Sequence, residues 1–175
     1  MTDQTLKILE TDRLVLRVFE PSDLDAFAAI EADPDVMRYY SSGPRTRENA
    51  ERAMGQFREM QATYGHSLWA LDEKDGKKCI GYSGVIPQTI GGRQEMEIGY
   101  KLAKEFWGKG FATEAASAVR DWGFSNLRVR RLISIVDPLN TASIRVAEKL
   151  GMRYVQNSEY EGKDCRIYAV SRPLS

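Results

Sequence analysis

Between residues 107 and 115 the chain reads Trp107-Gly108-Lys109-Gly110-Phe111-Ala112-Thr113-Glu114-Ala115, a glycine-rich turn with one cation between a predicted strand and an alanine-rich helix. Such a turn is a nest for an anion. Its unpaired N–H groups and those of the helix start point one way, and the helix dipole adds partial positive charge, so a phosphate or pyrophosphate fits. Glycine allows close backbone approach and positive φ. The spacing argues against two familiar phosphate loops. A Walker loop needs Ser or Thr after Gly-Lys to meet magnesium, and here Gly110 follows Gly108-Lys109. A dinucleotide fingerprint needs a third glycine or alanine where Thr113 stands.

The 175 residues suffice for one well-buried core and are too few for two ordinary domains, so a single domain over 1–175 is expected. Lys plus Arg equals Asp plus Glu at 25 each, and this zero net charge gives no field that favours nucleic acid. Two cysteines, Cys79 and Cys165, and one histidine, His66, do not make a usual zinc set, so no metal is expected. Thr2-Asp3-Gln4-Thr5 opens no signal-peptide pattern, and charges interrupt every later apolar run. A cytoplasmic protein with reduced thiols and no membrane partner is the expectation.

The elements that must position the turn follow from periodicity. Leu14, Leu16 and Val18 alternate with Val15, Arg17 and Phe19 as a first strand. Ser22 and Asp25 resemble a capping box before a helix that Asp33-Pro34 stops. Thr46 caps a second helix carrying Ala50, Ala53, Phe57, Met60 and Tyr64 at three- and four-residue steps. His66–Leu71 and Cys79–Ile86 read as a hairpin around Asp75-Gly76. Glu95–Leu102 is the strand that delivers the chain to the turn, and Ala112, Ala115, Ala116, Val119 and Trp122 mark one face of the helix after it. Arg131–Val136 is a short buried strand, Asn140 caps a helix that Gly151 ends, and Met152–Tyr160 with Lys163–Val170 form a last hairpin. The fold class expected is α+β: a mixed, mostly antiparallel sheet of about seven strands with helices on both faces.

This element order, together with Glu10-Thr11-Asp12-Arg13-Leu14-Val15-Leu16-Arg17, Glu97-Ile98-Gly99-Tyr100, the turn at 107–115, and Asn140-Thr141-Ala142-Ser143-Ile144-Arg145 through Gly151-Met152, resembles the GNAT superfamily of N-acetyltransferases. The likeness is to its ribosomal-protein N-terminal (Rim-type) branch and covers nearly the whole chain. It implies a strongly twisted sheet with a splayed central strand pair. It also implies acetyl-coenzyme A as donor, its pyrophosphate on amides from Gly108, Lys109, Gly110, Phe111, Ala112 and Thr113. The pantetheine arm would lie between strands 95–102 and 131–136, against backbone of Ile98, Gly99 and Tyr100, with Asn140 holding it.

The resemblance further implies Glu97 as general base, burial raising its pKa, because the attacking amine must be neutral. Many superfamily members protonate the leaving thiolate with a tyrosine where Ala147 stands; in the Rim-type branch a serine is implied, here Ser143. The acceptor pocket is expected in the loop between the first two helices, with Met37, Arg38, Tyr39 and Tyr40, along with Trp69 and Tyr82. The expected partners are acetyl-coenzyme A and a primary amine, a peptide N-terminus or a small molecule. A coenzyme A-binding module without turnover is the alternative, and both monomer and homodimer stay open.

Overall fold

The computed structural model describes residues 6–76 and 78–172. Thr2 to Thr5 lie outside them. The elements run β1 (Lys7–Glu10), β2 (Leu14–Arg17), α1 (Leu24–Ala32), α2 (Arg47–Tyr64), β3 (Leu68–Glu73), β4 (Gly81–Ile90), β5 (Arg93–Leu102), α3 (Phe111–Asn126), β6 (Arg131–Val136), α4 (Thr141–Lys149), β7 (Arg153–Tyr160) and β8 (Lys163–Ser171). One sheet holds eight strands in the order β1-β2-β3-β4-β5-β6-β8-β7. The count exceeds the expected seven because β1 is a four-residue edge strand with no buried residue, which leaves little apolar alternation to read.

Every neighbouring pair is antiparallel except β5 and β6, which run parallel and share one register pair among the described residues, Glu97 with Ile133. Beyond that pair the strands part. A splayed central pair is therefore present, and Glu97 stands at its fork.

Alternation along the strands sends successive side chains to two cores. In β3, Trp69 and Leu71 face a cluster with Ala115, Ala116 and Val119 of α3, while Leu68 and Ala70 join Phe27 of α1 and Ala50 of α2. Helices thus cover both faces. α2 starts where Thr46 accepts from the Asn49 N–H at 3.2 Å and ends at Gly65, whose φ of 74° closes the last turn. The entry to α1 differs from expectation: the capping box is Glu20 with Asp23, not Ser22 with Asp25, and it encloses a short 3-10 turn at Pro21–Asp23.

Arg17, at the end of β2, is buried and ties these layers together. Its guanidinium donates to Asp23 at 2.7 and 2.8 Å and to Asp72 of β3 at 2.7 and 2.8 Å. Burial alone would raise the Asp72 carboxyl, but hydrogen bonds from Arg17, the Cys79 N–H and Lys78 outweigh it and hold the pKa below the ordinary value.

Candidate active site

Two clefts meet at the fork of the sheet. The larger, about 790 Å³, is lined by Gly108, Gly110, Phe111, Ala112 and Thr113 on one side and by residues of α4 on another. Here the backbone is arranged for an anion. Gly108 and Gly110 take φ of 73° and 81°, a region that disfavours side chains, and the chain turns into α3 from them. Asn140 caps α4 with its side chain, as Thr46 caps α2, but the start of α3 has no side-chain cap. A helix start of that kind suits an anion. The wall carries Arg38, Lys101, Lys104, Arg145 and Lys149 against one carboxylate, Asp35, so the cleft is strongly cationic. These features fit the phosphates of coenzyme A.

The smaller cleft, about 400 Å³, is lined by Tyr39, Tyr40, Tyr82, Gln88, Glu97 and Tyr160, among others. Tyr100, Asn140 and Ser143 line both clefts and mark their junction. Glu97 is placed by its neighbours: Gln88 Nε2 donates to Oε2 at 2.8 Å, and the Ile135 N–H also binds the carboxylate. Burial pushes its pKa up, the nearby Glu161 adds to this, and the two hydrogen bonds only partly offset it, leaving a value of about 7. That is the range of a general base working at neutral pH.

Tyr100 reaches across the fork to α4. Its hydroxyl lies 2.8 Å from Ser143 Oγ and can donate to the Ser143 carbonyl at 3.0 Å. Asn140 Oδ1 accepts from the Ser143 N–H at 3.1 Å, so the asparagine that caps α4 also orients the serine. Desolvation holds the Tyr100 phenol at about 12, even though the bond to Ser143 lowers it.

Several expected site residues lie elsewhere. Met37 is buried beneath the loop, its sulfur 3.1 Å from Lys101 Nζ, and lines neither cleft. Trp69 is fully buried, edge-on to Trp122 at 4.8 Å, with its indole N–H donating to Gln61 at 2.7 Å. Both are core residues, because strand and loop alternation turned them inward. Arg38 lines the larger cleft rather than the smaller, paired with Asp35 at 2.8 Å. Tyr82 lines the smaller cleft, but its hydroxyl is committed to buried Glu31 at 2.8 Å. Ile98 and Gly99 line the smaller cleft, where Ser134 and Ser83 hydroxyls already occupy their carbonyls at 3.1 and 2.9 Å. At Gly99 a Cβ would stand 3.0 Å from Leu68, so packing as well as ligand access asks for glycine there. The Lys109 side chain turns over the Phe106 ring at 5.0 Å and is not part of the cleft wall.

Sequence reasoning missed four side chains. The Tyr100 hydroxyl was overlooked in favour of its backbone. Arg145 and Lys149 stand four apart on α4, a spacing that puts both on one face. Lys101 follows Glu97 and Gly99 at two-residue steps, so alternation alone places all three on one face of β5. Its ammonium is 2.8 Å from Glu31 and 3.8 Å from the Tyr40 ring centre, and burial lowers its pKa to about 8 despite that carboxylate. Among the described residues, no His, Cys, Asp and Glu cluster is placed to hold a metal ion, and no helix is long and apolar enough to cross a membrane.

A cationic cleft that fits a phosphorylated ligand thus adjoins a second cleft holding a buried carboxylate. The profile of the acetyltransferase (GNAT) domain matches residues 13–153, and the chain belongs to that family. It is similar to the uncharacterized protein YkkB of Bacillus subtilis, at 40% identity over 91% of this chain and 93% of that protein. It is likewise 33% identical to the uncharacterized N-acetyltransferase YoaA of the same organism, over 95% of this chain and 97% of the relative. Among solved structures, an acetyltransferase from Agrobacterium tumefaciens superposes with a TM-score of 0.80 at 28% identity, over 94% of each chain. The ribosomal L7/L12 α-N-protein acetyltransferase RimL, solved with coenzyme A, shares the fold with a TM-score of 0.77 at 17% identity, over 94% of this chain and 97% of its own. The chain is accordingly an acyltransferase of a family that moves acetyl groups from acetyl-coenzyme A to amines.

Proposed function

We propose that the protein acetylates a primary α-amine, such as a peptide N-terminus, by direct attack on acetyl-coenzyme A with both substrates bound. The observation that carries this is the place of Glu97: at the fork of β5 and β6, in the smaller cleft, beside the junction with the cationic one. The donor's diphosphate rests on the amides of 108–113 and its thioester arm lies in the fork. The acceptor enters through the smaller cleft. Glu97, directly or through water, takes a proton from the acceptor ammonium. The freed nitrogen attacks the thioester carbonyl, a C–N bond forms, the nitrogen gives its second proton to solvent, the C–S bond breaks, and coenzyme A leaves as thiolate.

Magnitudes assign the remaining roles. An α-ammonium near ~8 gives its proton to a carboxylate near 7 at a cost of roughly 1–2 kcal/mol, whereas a lysine-like amine near ~10.4 costs roughly 3 kcal/mol more. The α-amine is the better match. On the other side, full transfer from a phenol at about 12 to a thiolate near ~8.5 is uphill by roughly 5 kcal/mol. The Tyr100–Ser143 pair therefore acts by hydrogen bonding to the departing sulfur, with Ser143 Oγ–H facing it while Tyr100 donates to Oγ, and solvent completes protonation.

A second reading, a polyamine acceptor, draws on Glu161 and Asp164 in the smaller cleft and on the Escherichia coli spermidine N(1)-acetyltransferase, 30% identical over 78% of this chain and 70% of that enzyme. The test is mass spectrometry of products formed from acetyl-coenzyme A and a mixture of peptides, polyamines and aminoglycosides. Acetylated peptide N-termini support the first reading and acetylated spermidine the second. No thiol release above background with any acceptor would overturn both.

A further inference from the structure

The stretch Thr11-Asp12-Arg13 lies far from the chemistry, yet its side chains converge on the turn that holds the donor. Arg13 Nη1 donates to the Lys109 carbonyl at 2.9 Å, and its Nε donates to Glu114 at 2.7 Å. Glu114 also accepts from the Arg13 N–H at 2.9 Å and from Thr11 Oγ1 at 2.5 Å. The guanidinium packs 4.5 Å from the Phe111 ring centre, and a Cβ on Gly110 would stand 3.4 Å from Nη2. One side chain from the start of β2 therefore touches the carbonyl, the glycine and the first helical turn of the same loop.

Peptide planarity gives these contacts a consequence. In a trans peptide the carbonyl of one residue and the N–H of the next point in opposite directions. With the Lys109 carbonyl held on Arg13, the Gly110 N–H is directed away from Arg13, and Gly110 lines the cationic cleft while Arg13 does not. The same clamp silences a charge. Glu114 sits in the first turn of α3, where a bare carboxylate would repel a bound phosphate. Arg13 neutralises it, and hydrogen bonds from Thr11 and Arg13 overcome desolvation to keep it ionised and fixed in place.

We propose that Arg13, braced by Glu114 and Thr11, is a positioning residue of the donor site: it sets the Lys109–Gly110 peptide so that its amide meets the diphosphate of coenzyme A. The inference rests on the donor assignment above. The Arg13 side chain is 48% exposed and that of Glu114 18%, so the variants should still fold, with a modest loss of stability that thermal unfolding reads separately.

The test measures calorimetric affinity for coenzyme A and for pantetheine, which lacks the diphosphate, in the parent, Arg13→Ala, Arg13→Lys and Glu114→Gln. One misdirected hydrogen bond to a charged oxygen corresponds to roughly a ten- to hundredfold loss of coenzyme A affinity in Arg13→Ala. Pantetheine affinity should stay at the parent level. Arg13→Lys keeps the charge but has no fork to hold carbonyl and carboxylate together, so it should fail to restore coenzyme A binding. Unchanged coenzyme A affinity in Arg13→Ala, or equal losses for both ligands, would overturn the proposal. A folded parent that binds no coenzyme A would instead remove the donor assignment itself, and this one with it.

Discussion

Replacing Glu97 by Gln keeps the side chain's size and one acceptor oxygen for Gln88 or Ile135, and removes the titration. In the folded protein the carboxyl is displaced from 4.5 to about 7, which corresponds to roughly 3 kcal/mol at full ionisation. The cleft reaches solvent, so a realised value of roughly 2–3 kcal/mol is expected. The sign follows from proton counting. Between pH ~4.3 and 7 the folded state keeps a proton that the unfolded chain has released, so stability falls as pH rises through that window and the whole penalty is present above 7. The variant has no such penalty. Urea unfolding at pH 4.5 and pH 8 should therefore show Glu97→Gln gaining roughly 2–3 kcal/mol relative to the parent between the two conditions. Over the same range kcat/KM of the parent should rise with an inflection near 7, while the variant loses roughly 10²–10⁴-fold and the inflection. Parallel stability curves would refute the buried, proton-holding carboxylate. Parallel activity curves would refute its role as base.

Tyr100→Phe and Ser143→Ala should each lower kcat more than they raise the KM for acetyl-coenzyme A, and the double variant should cost less than the sum, because the two hydroxyls act as one unit. Arg17→Leu leaves Asp23 buried without its cation and Asp72 with Lys78 alone, and chemical denaturation should register a loss of roughly 3–5 kcal/mol at pH 7. The penalty should shrink as pH falls and the stranded carboxylate takes up a proton, since Asp72, held low by Arg17, stabilises the parent only while it is ionised. Trp69→Ala should cost roughly 3–5 kcal/mol while leaving coenzyme A affinity unaltered, which separates a core tryptophan from a pocket residue.

The glycine turn, the caps at Thr46 and Asn140, and the alternation in β5 were legible because each is a local rule acting on adjacent residues. The fork was not. Glu97 and Ile133 are joined by chain topology, and no periodicity distinguishes one parallel register pair from a full ladder. Trp69 and Tyr82 were told apart only by the pairing of β3 with β4, which sets Trp69 opposite Ser83 and Tyr82 opposite Ala70, so one faces Trp122 and the other the cleft. The Met37 sulfur lies against Lys101, a contact across 64 positions of chain. Arg13 read as part of a motif without a task, because its partner Glu114 lies 101 residues away.

A sheet whose middle strands share one register pair, supplemented by the side-chain contacts Ser134–Ile98 and Arg131–Glu95, behaves mechanically as two plates, five strands wide on one side and three on the other. Their coupling then depends on the helices that straddle the seam and on whatever fills it. A donor arm lodged there works as a rivet, so amides of β6 and β8 should exchange hydrogen more slowly once the seam is occupied, though none of them lies in the glycine turn.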